Sequence, residues 1–390
     1  MIAGVLTFVC WLLLIPAAVL FIEVAAAILP GEERSISLGN GSRRVAVLIP
    51  AHDEETTIAR TLRSIVPQLG PADRLLVIAD NCSDQTEQIA RREGAEAVRR
   101  DNAELRGKGY ALDYGVRHLG TDPPDVVIVV DADCVVEPGS VAVLASMAQA
   151  SGAPVQAVDL MRAPEGAGLR VRIAEFAWAI KNKVRPLGLR RMGLPCQLMG
   201  TGMAFPWACL QSTTLATGHI TEDLQLGIDL ARGGRPPRFC TAAMVSSEFP
   251  TSSEGLRSQR TRWEHGHLQS ILSDGPKLLL QAVVRRDGAL AAMAVDMSVP
   301  PLALLAMLIA VGWAISLLFA LTARQSLPLV LATGAAALFG AAVMVSWARF
   351  GRRIISGRDL ALAVVYAVCK LPLYLRFLFK PQSKWVRSKR

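Results

Sequence analysis

The sequence predicts an α/β protein: a doubly wound, mostly parallel sheet domain flanked by helices suited to a membrane. Three observations carry that prediction. Between about Arg43 and Gly275, short strand-like runs alternate with helix-like runs, as in a parallel sheet whose crossovers are helices. The run Val126–Val130 is apolar without alternation, so cover is expected on both of its faces. Outside that region stand apolar runs long enough to span a bilayer, and they lift the hydrophobic content of the 390 residues to 52% and the mean hydropathy to +0.35.

Taken in order, Ile2–Leu29 is apolar apart from Pro16 and Glu23, which predicts a transmembrane helix within 1–30. A cleaved signal peptide is the alternative, since "AAAIL" offers small residues. It lacks a basic n-region, and the apolar run is too long for an h-region. Arg34, Arg43 and Arg44 follow, which predicts that the domain at 43–275 is cytoplasmic. In that domain "RRVAVLIPA" reads as a strand and "EETTIARTLRSIVPQL" as a helix. "DRLLVIAD" is a second strand, and "SDQTEQIARREGA" a second helix with Ser83 as its cap. "KGYALDYGVRHL" is a third helix, followed by the strand "PDVVIVVDAD".

After Gly275 the pattern changes. Residues 276–288 read as an amphipathic interfacial helix. Residues 289–348 read as two transmembrane helices, Ala289–Leu321 and Leu327–Trp347, with Asp296 and Pro300–Pro301 early in the first. The connection "TARQS" is nearly uncharged whereas "ARFGRRIISGRD" is basic, which places the second connection in the cytoplasm. Residues 359–390 read as interfacial or re-entrant helices and a basic tail. Glu23 and Asp296 lie near span ends and are expected to snorkel to the interface.

The net charge of +9 gathers beside the apolar runs, so membrane lipids and a phosphate-bearing substrate are the expected partners. Nucleic acid is excluded as a partner because bases and acids are interspersed in the sheet region. The seven cysteines form no CxxC pair, which argues for unpaired thiols in a reducing compartment rather than disulfides or zinc.

The polar residues that could carry chemistry stand at strand ends. Asp131 and Asp133 follow the run Val126–Val130. One of them could cap the helix expected at "EPGSVAVLASMAQA", but two carboxylates at i and i+2 could also hold a divalent cation. His52, Asp53 and Glu54 end the first strand and Asp80 the second. Each alone reads as a cap or turn residue. Three strands ending in acids point to a ligand site at the carboxyl edge of the sheet. In "RGKGYAL", Arg106 and Lys108 precede a helix whose free N–H groups suit phosphate, though a solvated loop reads the same way. Glu222 and Asp223 follow in "TEDLQLG". In "SQRTRWEHGH", Gln259, Arg262 and Trp263 share one helical face, where an arginine and an aromatic could hold an anion and a sugar ring. A surface helix with a half-buried aromatic is the alternative. His265 and His267 at i and i+2 point apart, against a metal pair.

The order HDE, Asp80, GKGYAL, DAD, GTG, TED, QRTRW resembles membrane-bound family 2 glycosyltransferases, the inverting GT-A enzymes related to cellulose, chitin and hyaluronan synthases. The resemblance covers about Val45 to His267. His52 stands where the family more usually has asparagine, and the membrane part is small for a polymer-extruding synthase. The resemblance implies a Rossmann-like GT-A domain in which Asp131 and Asp133 hold Mg²⁺ or Mn²⁺ against the diphosphate of a nucleotide sugar, usually a UDP-sugar. It implies a nucleoside pocket lined by Pro50, Ala51, Asp53 and Glu54, with Asp80 on the base and with Lys108 and Arg262 on the phosphates. Asp223 would be the general base and Glu222 would orient the site. Gly200, Thr201 and Gly202 would meet the acceptor, with Trp263 and Gln259 beneath its sugar.

The implied activity is metal-dependent, inverting hexosyl or N-acetylhexosaminyl transfer to a lipid-linked or glycan acceptor. Its setting would be extracellular polysaccharide assembly at a bacterial cytoplasmic membrane. A processive β-glycan synthase is the alternative, favoured by QRTRW, but three spans make a poor channel without a homo-oligomer or an export partner. A non-catalytic nucleotide-binding scaffold is disfavoured by the intact acids. A dinucleotide oxidoreductase is disfavoured because no GxGxxG follows the first strand.

Overall fold

The computed structural model describes residues 1–31, 43–211, 213–216 and 221–379, so Arg34 and the basic tail from Lys380 lie outside the described residues. The chain forms two compact units. A sheet unit contains Glu32–Arg162 and Leu194–Leu256, and a helical unit contains Met1–Gly31, Ala163–Gly193 and Arg257–Gln382. Residues 163–193 and those from Arg257 onward leave the sheet and join the apolar helices.

The sheet unit carries β1 (Val45–Ala51), β2 (Arg74–Asp80), β3 (Glu96–Arg100), β4 (Val126–Val129), β5 (Val135–Val136), β6 (Val155–Arg162), β7 (Met203–Pro206) and β8 (Arg238–Glu248). Their order is β3-β2-β1-β4-β7-β6-β8-β5. The half from β3 to β4 is wholly parallel, as is the β6–β8 pair. β7 runs antiparallel to β4 and β6, and β5 antiparallel to β8, so the sheet is mixed. Alternation sorts the strand residues between two covered faces. Val47, Ile49, Val77 and Ile128 pack in one layer with the helices Ile58–Ile65 and Ser140–Ser151. Leu48, Leu76, Ile78 and Val127 pack in the other with helix Lys108–Leu119. β1, β2 and β4 run parallel, so their carboxyl ends lie on one edge.

Among the described residues, the helical unit contains three helices long and apolar enough to cross a membrane: Ile2–Ile28, Leu302–Ala323 and Leu327–Gly351. Leu13, Ala17, Leu20 and Val24 of the first pack with Leu305, Ile309, Ala335 and Ala342 of the others. Phe8, Trp11, Ile15, Val311, Leu318 and Val330 are exposed, so these helices are apolar on both inner and outer faces, as lipid-facing helices are. The run from Ala289 is two helices, not one. Helix Gly288–Met297 stops before Pro300–Pro301 and the span begins at Leu302, because proline lacks an N–H and restricts the residue before it. The 359–379 region forms the short helices Gly357–Ala361, Ala363–Cys369 and Leu371–Phe379.

Glu23 and Asp296 do not snorkel. Both are buried, and Arg185 joins them. Arg185 Nε donates to Glu23 Oε2 at 2.6 Å, and its Nη2 donates to Asp296 Oδ1 at 2.6 Å and to the Asp296 carbonyl at 2.7 Å. The helix Arg185–Arg191 presses this side chain onto the first helix. A Cβ on Gly188 would lie 1.9 Å from the Glu23 carbonyl oxygen, so only glycine allows that approach. One turn on, Arg191 donates to the carbonyls of Ala26 and Ala27 at the end of the first helix, where Leu29 N also reaches the Ala26 carbonyl at 3.2 Å. The expectation failed because the partner of these acids lies far away in sequence.

Candidate active site

The site grows from the end of β4. The ladder to β7 stops at Val129, and Val130 N donates to Leu48 O at 3.1 Å. Beyond it two buried threonines hold the turn. Asp131 N donates to Thr201 Oγ1 at 3.1 Å, and Thr61 Oγ1 donates to Ala132 O at 2.8 Å. Cys134 N closes the turn onto Asp131 O at 3.1 Å. Neither aspartate caps the following helix, which starts after Gly139 with no side-chain cap bond.

Lys108 opens helix Lys108–Leu119 and sends its ammonium to the Asp131 carboxylate and, at 2.6 Å, to the Gly200 carbonyl. Glu222 and Asp223 occupy the first turn of helix Glu222–Arg232, where the helix dipole favours acids. Lys108, Leu112, Met203, Glu222 and Asp223 line one cleft. A side-chain carbon on Gly200 would sit 3.4 Å from Asp223 Oδ2 and 3.6 Å from Lys108 Nζ. Asp131 of DAD, the TED acids and GKGYAL, distant in sequence, thus meet around one ammonium. Burial pulls the Lys108 ammonium down, but the carboxylates of Asp131, Glu222 and Asp223 outweigh it and hold the group above the usual lysine range. Lys108 is therefore a fixed positive charge among acids.

On the β1–β2 side, Asp80 is buried and paired with Arg100 of β3, and Asn81 Nδ2 donates to the same oxygen, Oδ1, at 3.0 Å. Both of these contacts fall on Oδ1 and not on Oδ2. Arg100 was not singled out from sequence; the charged run "VRRD" after an apolar residue is its signal. His52 Nδ1 meets the Asp80 carbonyl at 2.7 Å and so bridges the two strand ends. Pro50 and Ala51 pair with Ile78 and Ala79, and Ala51 is buried. Glu54 N donates to Thr86 Oγ1 at 2.7 Å, and Glu54 Oε2 accepts from Thr57 at 2.8 Å. Asp53, at φ 52°, accepts from Ser83 N at 2.6 Å and from its hydroxyl at 3.2 Å. Ser83 is therefore tied to Asp53 and is not the expected cap, since helix Thr86–Arg92 starts after Gln85. Asp53, Cys82 and Asp84 bring ligand-type atoms within 4.8 Å of one another. Burial pushes the Cys82 thiol up to about 11, so no thiolate is offered there.

Thr201 and Gly202 are buried behind the DAD turn, and Gly200 alone of the three is half-buried on the cleft side. Gln259, Arg262 and Trp263 lie on helix Ser253–Ser273 of the helical unit. Gln259 is buried, and the Trp263 ring sits 4.6 Å from that of Trp178, a residue not singled out from sequence. His265 meets the Leu373 carbonyl at 3.1 Å. Burial, with Lys181 and Arg185 nearby, pulls His267 down to about 3. Asp131 and Asp133 offer hard carboxylate oxygens and no soft donor, a set that fits Mg²⁺ or Mn²⁺.

A model of the family described as Glycosyltransferase like family 2 matches residues 42–266. The chain is similar to a probable glycosyltransferase, YdaM, of Bacillus subtilis, at 28% identity over 59% of this chain and 56% of that one. It is also similar to a glucosyl-3-phosphoglycerate synthase of Mycolicibacterium paratuberculosis, at 36% identity over 26% of this chain and 31% of the other. The match thus spans about half or less of these relatives' length. Among solved structures, mannosyltransferase PcManGT of Pyrobaculum calidifontis, in complex with GDP-Man and Mn²⁺, aligns with a TM-score of 0.53 at 18% identity. That alignment covers 88% of this chain and 99% of that one. The fold is the mixed α/β, Rossmann-like GT-A arrangement. With a family match across more than half its length, the chain belongs to glycosyltransferase family 2.

Proposed function

We propose that this chain is a membrane-embedded, metal-dependent, inverting transferase that moves a sugar from a nucleotide sugar to a lipid-linked or glycan acceptor. The observation that carries the reading is that Lys108, whose ammonium binds the Asp131 carboxylate, lines one cleft with Glu222 and Asp223. Asp131 and Asp133 would hold the divalent ion, and such an ion offsets the charge of a departing diphosphate. Lys108 binds phosphate oxygens. Pro50, Ala51 and Glu54 line the nucleoside side, and Asp80 reads the base through the oxygen that Arg100 leaves open. Asp223 takes the proton from an acceptor hydroxyl while that oxygen bonds to the anomeric carbon. The bond from that carbon to the diphosphate breaks, its electron pair leaves with the nucleoside diphosphate, and the anomeric centre inverts. Glu222 orients Asp223. Trp263 lies under the acceptor sugar.

The three apolar helices support anchoring in a membrane, and the arginine-rich connection supports a cytoplasmic sheet unit. Relation to the cellulose, chitin and hyaluronan synthases, and polysaccharide assembly as the setting, rest on the QRTRW motif. The Trp178–Trp263 pair, its rings tilted at 44°, favours a second reading, a processive synthase, since neighbouring aromatic rings can meet successive sugars. The test is to incubate the lipid-reconstituted protein with labelled UDP- and GDP-sugars and Mn²⁺ or Mg²⁺, and to size the product. A single-sugar lipid product supports one-step transfer and a long ladder supports the synthase. EDTA and Asp223→Asn should each abolish labelling, the latter by about a hundredfold or more. Full turnover with either one would overturn the mechanism.

A further inference from the structure

We infer that Thr201, clamped by Gln156, is a positioning residue that aims the Asp131 carboxylate at the metal. It rests on the proposed metal site and gives the GTG stretch a role other than meeting the acceptor. Asp131 is the first residue past both the β4 ladder and the Val130–Leu48 bond, so no strand neighbour fixes its N–H. The Thr201 hydroxyl accepts that N–H at 3.1 Å and turns its own proton toward Cys134 Sγ at 3.5 Å, at the other end of the turn. Thr201 is 5% exposed, so this hydroxyl faces protein and not substrate.

Thr201 is itself held. Gln156 of β6, fully buried, donates from Nε2 to the Thr201 carbonyl at 2.8 Å and accepts Met199 N at Oε1 at 2.8 Å. One side-chain amide therefore grips the loop on both sides of Gly200, whose carbonyl receives Lys108. Its other contact, Nε2 to the Ala157 carbonyl at 3.0 Å, anchors it to its own strand. A buried amide with this set of partners has little reason to exist in an apolar layer except to fix what it bonds. The path runs from Gln156 to Thr201 to the Asp131 backbone, with Lys108 fixed to the same loop. Groups that orient metal ligands from behind set affinity about tenfold to a hundredfold.

The experiment compares wild type, Thr201→Val, Thr201→Ser and Gln156→Met as full chains in detergent. Mn²⁺ binding in the presence of UDP is read by electron paramagnetic resonance, and melting temperature is read alongside. Thr201→Val keeps shape and loses the acceptor, so Mn²⁺ affinity should fall about tenfold or more. Thr201→Ser keeps the hydroxyl and should restore it, and Gln156→Met should weaken Mn²⁺ while the chain remains folded. UDP binding without metal should be unchanged in all three variants. Wild-type Mn²⁺ affinity in Thr201→Val overturns the inference, as does an equal loss in Thr201→Ser. Absence of Mn²⁺ binding in wild type would instead remove the metal reading, and the inference with it.

Discussion

Lys108 does two jobs at the scale of a single residue, binding the DAD acid and pinning the GTG loop. Removing its charge should leave Asp131, Glu222 and Asp223 facing one another without compensation. Lys108→Gln is expected to lower kcat/KM by about ten- to a hundredfold, the worth of a hydrogen bond to a charged group. Its titration has a definite sign. The folded group keeps its proton beyond the unfolded value of about 10.4, so its stabilising share is complete below that pH and lost as pH climbs through the raised value. An alkaline limb in kcat/KM at lower pH should therefore persist in Lys108→Gln, and its disappearance would contradict the assignment. Much of this site was legible in sequence, because acids after β-branched runs fall at one edge of a parallel sheet. Thr201 was read as an acceptor contact because burial cannot be seen in "GTG". Gln156 was not seen at all, since a single glutamine carries no pattern.

At the scale of elements, the helix Arg185–Arg191 is the piece that periodicity could not place. Arg185, Gly188 and Arg191 share a face laid against the first helix. Gly188→Ala puts a methyl carbon where the Glu23 carbonyl stands, so the helices must part and Arg185 loses its geometry. The loss expected is about 3 kcal/mol or more, visible as a lower melting temperature in detergent or as a failure to accumulate. The helix Ser253–Ser273 carries a separate pH device. His267 takes a proton near pH 6.5 when unfolded but at about 3 when folded. Between those values the unfolded chain binds more protons, so stability falls as pH drops through that window, by up to about 1.4 kcal/mol per pH unit. His267→Gln should flatten that part of the melting-temperature profile, and an unchanged slope would show that another group titrates there.

At the scale of the whole molecule, the chain passes back and forth between its units. The first apolar helix comes first, then β1 to β6, then residues 163–193 in the helical unit, then β7 and β8, then the remaining helices. The alternation of strands and helices was legible because it is local. This interleaving was not, since it depends on long-range partners such as Arg185 and Glu23. A soluble fragment cut at 43–275 should therefore aggregate, because it keeps Arg185 and loses both of its acids; monodisperse behaviour on gel filtration would refute this. Replacing 163–193 by a short flexible linker and stopping at 256 is expected to improve solubility. The same ion cluster has a consequence for how the protein is made. Glu23 leaves the ribosome 162 residues before Arg185, and Asp296 follows Arg185 by 111. At common synthesis rates Glu23 waits roughly ten to thirty seconds for its counter-charge. During that interval the nascent first helix carries an acid it cannot bury, and its final seat can form only after translation has passed Asp296.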